Sequence, residues 1–105
     1  MSLQVRFSAE AVAELDAAAQ WYEEQLPGLG LALIDAVDAA LARVADWPRS
    51  GAPVPTVATD LDVRRVPVAR FPYNLPYVVA DAAVHVLAVA HDRRRPGYWT
   101  GRVES

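Results

Sequence analysis

An imidazole, three guanidiniums, a phenol and an indole fall within nine residues near the end of this 105-residue chain: His91-Asp92-Arg93-Arg94-Arg95-Pro96-Gly97-Tyr98-Trp99. Guanidiniums bind phosphate oxygens, or pair with the carboxylates of an acidic partner segment. Three in succession cannot all face one way, so one or two of them carry the contacts. Tyr98 and Trp99 can stack on bases, fill a partner's groove, or anchor a short tail back on the body. Histidine is the side-chain type suited to moving protons near neutral pH, so His91 can move a proton or contact a target, or it can simply hold the tail. His85 lies six residues earlier on the same apolar run, roughly 20 Å away in an extended strand, too far to share a metal with it. With no cysteine in the chain, no metal site and no cofactor are expected.

More candidates lie upstream. Arg64 and Arg65 are adjacent, so in a strand they point to opposite faces and one of them shares the tail's surface. Arg70 follows on the same stretch, and Phe71-Pro72-Tyr73 reads as a rigid corner before the next strand. Trp21 and Tyr22 are neighbours in a helical stretch where only Tyr22 falls on the apolar stripe, which makes Trp21 an exposed anchor for a partner.

The elements that must position these groups follow from periodicity. Leu3 to Phe7 alternates apolar and polar, as a half-buried strand does. Ser8 offers an N-cap, with Glu10 in the first turn. Val12, Leu15, Ala19, Tyr22 and Leu26 then form one helical stripe, with Glu10, Glu14 and Glu24 off it. Pro27-Gly28 ends that helix. Leu31, Ile34, Val37, Leu41 and Val44 form a second stripe, which stops near Trp47 because Pro48 disfavours helical geometry before it. Residues 48–60, carrying three prolines and a glycine, read as a loop. Val63 to Ala69, Leu75 to Val79 and Val84 to Ala90 read as three strands. Pro67 lets the first of them pair on one side only at that point. Asp81-Ala82-Ala83 is the turn between the other two, and the last is apolar enough to be the central strand. The polar end, Thr100 to Ser105, reads as frayed. The order β-α-α-β-β-β predicts an α+β fold: an antiparallel sheet with an N-terminal helical hairpin packed on one face. At this length residues 1–105 form a single domain.

Composition narrows the function classes. The chain is 53% hydrophobic and 22% charged, a globular balance. No apolar run approaches a signal peptide or a membrane span, so a cytoplasmic protein without membrane contact is expected. The net charge of −3 argues against a wholesale nucleic-acid binder. Its distribution is uneven. Residues 1–60 carry three arginines against nine acids, and residues 61–105 carry seven against four. An acidic half and a basic half imply two surfaces for two partners. Lysine is absent, so no chemistry here uses an ammonium side chain.

The stretch Arg64-Arg65, then Arg70-Phe71-Pro72-Tyr73 with Tyr77, then Leu87-Ala88-Val89-Ala90-His91, and last Arg93 to Trp99, resembles the RelE/ParE superfamily of bacterial toxins, and most closely its ParE-like, plasmid-stabilisation branch. The resemblance spans residues 3–99, and its specific part is the C-terminal half. It implies the toxin of a type II toxin–antitoxin pair, neutralised by a cognate antitoxin. That antitoxin folds a C-terminal segment onto the toxin and itself binds the operator, so this chain alone reads no DNA sequence. ParE-like members poison DNA gyrase, whereas RelE-like members cleave mRNA on the ribosome without a metal. The RelE-like pattern is broken here. There is no lysine, the loop region offers Asp60 and Asp62 but no glutamate, and Asn74 stands near the place of a catalytic arginine. The non-nuclease branch is therefore the expectation, with an inactive remnant that only binds its antitoxin as a further alternative. The implied target surface is Arg64, Arg65, Arg70, His91, Arg93, Arg94, Arg95, Tyr98 and Trp99. The implied antitoxin surface is Trp21, Tyr22, Arg70 and Tyr73. Were the chain a nuclease, His91, Arg93, Arg94 and Tyr98 would be its catalysts.

Overall fold

The computed structural model describes residues 2–55 and 60–103. The chain runs β1 (Gln4–Phe7), α1 (Ala9–Gln25), α2 (Leu29–Asp46), β2 (Ala52–Pro53), β3 (Arg64–Pro67), β4 (Tyr73–Ala80), β5 (Ala83–Val86) and β6 (Ala90–His91), and closes with a 3₁₀ turn over Thr100–Val103. This is the expected α+β architecture, with the helical hairpin on one face of the sheet.

The start and stop signals act as their chemistry requires. The Ser8 hydroxyl accepts a hydrogen bond from the Ala11 N–H at 3.0 Å, satisfying one of the orphan donors of α1. The start of α2 has no cap of its own. Gly28 stands before it at φ +91°, and the Glu23 carboxylate of α1 accepts from the N–H groups of Gly28 and Gly30 at 2.9–3.1 Å. One helix thus caps the next across the Pro27 break.

The expected stripes hold in their middles, where Ala19, Val37, Leu41 and Val44 are buried and Leu15, Tyr22 and Ile34 pack on the core, but not at their ends around the helix crossing. Val12, Leu26 and Leu31 are 44%, 59% and 62% exposed, while Ala11, Ala18, Leu33 and Ala36 are buried. The reason is close packing. A Cβ on Gly30 would lie 2.5 Å from the Ala19 carbonyl oxygen, so the helices cross on their smallest residues. A stripe drawn through the large apolar side chains misses such a crossing.

The sheet order is β1-β5-β4-β3-β2, with β6 also on β4. All pairs are antiparallel except one. β1 runs parallel to β5, which makes the sheet mixed. A parallel pairing needs a long crossover, and the hairpin together with the three intervening strands supplies it. The central strand is β4 and not β5, to which the apolar run points; β5 lies between β1 and β4 and so is still covered on both edges. The loop read over 48–60 contains the short strand β2; its residues 56–59 lie outside the described residues. At Pro67 β3 pairs only with β4, through Asn74, as its missing N–H requires. Asp81 and Ala82 turn the β4–β5 hairpin with φ of +54° and +58°. That is the primed hairpin geometry, made here without glycine.

The strand read over Val84 to Ala90 breaks at residues 87–89, so His85 and His91 do not share one regular strand. The C-terminal end is not frayed through 103. It crosses the sheet face opposite the helices, where Trp99 covers a second small core of Val63, Val78, Leu87, Ala88 and Ala90. Residues 104 and 105 lie outside the described residues.

Candidate functional site

Strand alternation sorts the arginines. Arg65 has the parity of Val63 and faces the tail. Arg64 has the parity of Val66 and turns away, where it is tied to structure: its Nε bonds Asp62 at 2.9 Å, and its Nη1 donates to the carbonyls of Arg49 and Gly51. Arg64 therefore holds the loop before β2. Arg70 sits at φ +70° on the exposed corner before β4, beside Tyr22 and Phe71. Arg93 is exposed and outside both grooves described below.

The tail and the sheet enclose a groove of about 270 Å³ lined by Arg65, His91, Arg94, Arg95 and Tyr98, with Trp99 at its base. Trp99 is 4% exposed, so it serves as the anchor of the tail and does not offer its ring to a partner. Among the described residues no carboxylate forms an ion pair with Arg65, Arg94 or Arg95. The single acid lining the groove, Asp92, accepts from the Asn74 amide at 3.1 Å. The groove is thus a concave cationic surface. Positive groups with low-dielectric walls on both sides concentrate field and attract an anionic partner.

On the helix side lies a second groove, of about 290 Å³, whose lining includes Glu14, Trp21, Tyr73, His91 and Arg94. His91 and Arg94 line both grooves and so form the wall between them. An aromatic chain leads to that wall. Trp21 meets Tyr22 edge-on at 5.0 Å, Tyr22 meets Phe71 at 5.1 Å and Tyr73 at 6.3 Å, and Tyr73 meets His91 at 5.1 Å. Edge-to-face rings at these separations hold one another in place. The His91 Nδ1 accepts from the Arg93 N–H at 3.0 Å, so that nitrogen is used to shape the turn. The four residues expected to meet an antitoxin (Trp21, Tyr22, Arg70, Tyr73) thus form one contiguous region, and it adjoins the groove.

Sequence reasoning misses Glu14 and Arg102. Glu14 lies off the apolar stripe of α1, which predicts a solvated side chain. It is instead part-buried, between Ala11 and Ala18 on α1, and its carboxylate accepts from Tyr98 Oη at 2.6 Å and from Arg102 at 2.9 Å. The available signal is that Glu14 lies three residues from Ala11 and four from Ala18, once Ala11 and Ala18 rather than Val12 are taken as core. Arg102 belongs to the end that reads as frayed. Arg94 and Arg102 both stack on the Tyr98 ring, at 4.0 and 5.3 Å from its centroid.

Burial pushes the Glu14 carboxyl up, but hydrogen bonds from Arg102, Tyr98 and the Val89 N–H, with the Arg102 charge, more than reverse this and leave it below its ordinary 4.5. Burial and the neighbouring Glu14 drive the Tyr98 phenol from 10 up to about 12. A lowered carboxyl stabilises the fold above its unfolded value, and that contribution is lost as pH falls through the folded value. A raised phenol stabilises the fold below 10, and that contribution is lost as pH rises through about 12. Melting temperature should therefore fall on the acid side of about pH 5. In Glu14→Gln that acid limb should flatten, as thermal melts across a pH series would read.

The family model described as ParE toxin of the type II toxin–antitoxin system, parDE, matches residues 5–96. Among solved structures, the chain is similar to one from the chromosomal ParDE toxin–antitoxin system of P. aeruginosa. The TM-score is 0.70 over 86% of this chain and 96% of that one, at 20% identity. At that identity the likeness is one of fold. No curated protein matches.

Proposed function

Because the chain belongs to the ParE toxin family of type II toxin–antitoxin systems, we propose that it arrests growth by binding and poisoning DNA gyrase, and that a cognate antitoxin neutralises it. The cationic groove of Arg65, His91, Arg94 and Arg95 is the target surface. The region of Trp21, Tyr22, Arg70 and Tyr73 receives the antitoxin. The acids exposed on the outer faces of the helices, Glu10, Asp16, Glu24, Asp35 and Asp38, give the hairpin a charge opposite to that of the groove, as two separate partners require. Among the described residues no helix is long and apolar enough to cross a membrane.

The observation that carries a binding role over a catalytic one is the state of Tyr98. In a nuclease the Tyr98 hydroxyl or the His91 imidazole would move the proton. Here the hydroxyl donates to the Glu14 carboxylate at 2.6 Å, and the phenol is driven up to about 12. A phenol held that far above neutral is a poor base and a reluctant acid at pH 7. His91 also lines the groove, with its Nδ1 accepting from the Arg93 N–H; the rest of that surface is guanidinium charge and shape.

Pulse labelling after expression of this chain alone tests the reading. Thymidine incorporation should fall before methionine incorporation. Methionine falling first would place the chain with the mRNA nucleases, and no arrest at all would mark an inactive remnant that only binds its antitoxin.

A further inference from the structure

We propose that Glu14 is a positioning residue of the toxin: from α1 it sets the C-terminal tail and thereby holds Arg94 on the wall between the two grooves. This rests on the reading of the groove as the target surface and names a residue outside that surface on which it depends.

Four hydrogen bonds converge on one carboxylate. The Val89 N–H donates at 3.1 Å, the Tyr98 hydroxyl at 2.6 Å, and the Arg102 Nη1 and Nη2 at 2.9 and 3.2 Å. Arg102 Nη1 also donates to the Leu87 carbonyl at 2.9 Å. These donors come from two places, and each has a reason to need an acceptor. Residues 87–89 are where the strand breaks, so the Val89 N–H has no ladder partner there, and Glu14 supplies one. Tyr98 and Arg102 flank the Trp99 anchor, and Glu14 fastens both to the helix. The Tyr98 ring so fixed is the platform on which Arg94 stacks at 4.0 Å. Arg94 pairs with no carboxylate among the described residues, so its stacking on Tyr98 is what sets its direction.

A part-buried ion pair is by itself weak support for stability, because desolvation offsets much of the attraction. An apolar residue at 14 would extend the Ala11–Ala18 face but orphan the Val89 N–H, the Tyr98 hydroxyl and the Arg102 guanidinium. It would leave the tail without its acceptor. Besides what it adds to folding free energy, the carboxylate sets geometry, and the geometry it sets is that of the groove wall.

Glu14→Gln keeps the size and shape of the side chain and removes the charge. The tail carries its own readout, because trypsin cuts after arginine and the chain has no lysine. Cleavage of the purified variant after Arg94 and Arg102 should be at least ~10-fold faster than in the wild type, since release of the tail is a local opening. The dose of toxin needed for growth arrest should rise ~10-fold, a larger loss than that of affinity for the antitoxin, whose residues Trp21 and Tyr73 share the second groove with Glu14. Tyr98→Phe, which removes only the hydroxyl, should move both readouts in the same direction, and it keeps the test if the glutamine variant does not fold. Unchanged cleavage and unchanged arrest overturn the proposal. So does an equal loss of both functions, which would mean a structural residue only. Wild-type protein that arrests growth without engaging gyrase defeats the gyrase reading alone; a loss of that arrest in Glu14→Gln would still uphold the positioning role.

Discussion

Arg65→Gln, Arg94→Gln and Arg95→Gln combined in one chain abolish growth arrest and weaken target binding by ~100-fold or more, while the protein stays folded. The expectation comes from where the three side chains lie. They line a single groove, one from β3 and two from the tail, and no described carboxylate neutralises them. An exposed surface charge contributes little to binding. A charge desolvated against a partner is another matter, and truncating one such group costs roughly 2–5 kcal/mol. Even at the lower figure for only two of the three, affinity falls more than a hundredfold, since every 1.4 kcal/mol is about tenfold. The fold survives because what the substitutions remove within the chain is the stacking of Arg94 on Tyr98, worth about 0.5–1 kcal/mol. Arg43→Gln, on the exposed side of α2, removes the same charge elsewhere and should leave arrest intact. Titration of purified gyrase with each variant reads the affinity, and circular dichroism checks the fold. Full toxicity in the triple variant would remove the groove from the target surface.

Tyr77→Ala should leave little folded protein at physiological temperature. Tyr77 is fully buried in the middle of β4. Its hydroxyl donates to the Pro48 carbonyl at 2.7 Å and accepts from the Gly51 N–H at 3.1 Å, so it pins the loop after α2 to the centre of the sheet. Removing a buried ring of this size costs about 3–5 kcal/mol. The loop's two polar groups also lose their partner, about 1–3 kcal/mol more. A domain of this size has about 5–15 kcal/mol in all. Tyr77→Phe separates the two parts: it keeps the ring, orphans the loop and should lower the melting temperature by about 4–8 °C for each kcal/mol of stability removed. Thermal melts of both variants would show it. An alanine variant as stable as the wild type would mean that the core closes without this ring.

Much of the architecture is legible because it is written locally. Ser8 caps α1, Pro27-Gly28 ends it, Pro48 limits α2, and period-two alternation marks β1 and β3. Each signal acts within a few residues through backbone geometry or one hydrogen bond. The likeness to a toxin family is legible too, since it rests on contiguous stretches between Arg64 and Trp99. The β-α-α start, the helical hairpin, the acidic and basic halves and the cluster of candidates in the tail are therefore settled by the sequence itself.

Tertiary structure alone decided the rest. It added Ala11, Ala18 and Ala36 to the buried helix faces and left Val12, Leu26 and Leu31 outside, because two helices approach most closely where side chains are smallest, and a small residue carries almost no hydrophobic signal. It split Arg64 from Arg65, binding one to the loop before β2 and giving the other to the groove. It broke the last strand at 87–89 and turned β1 parallel to β5. Above all it brought Glu14 to Tyr98 and Arg102, partners 84 and 88 residues away. A carboxylate on a helix is ordinarily solvated, and nothing within its own turns says otherwise. What buries it is the return of the tail across the sheet, an event that depends on the packing of every element between them.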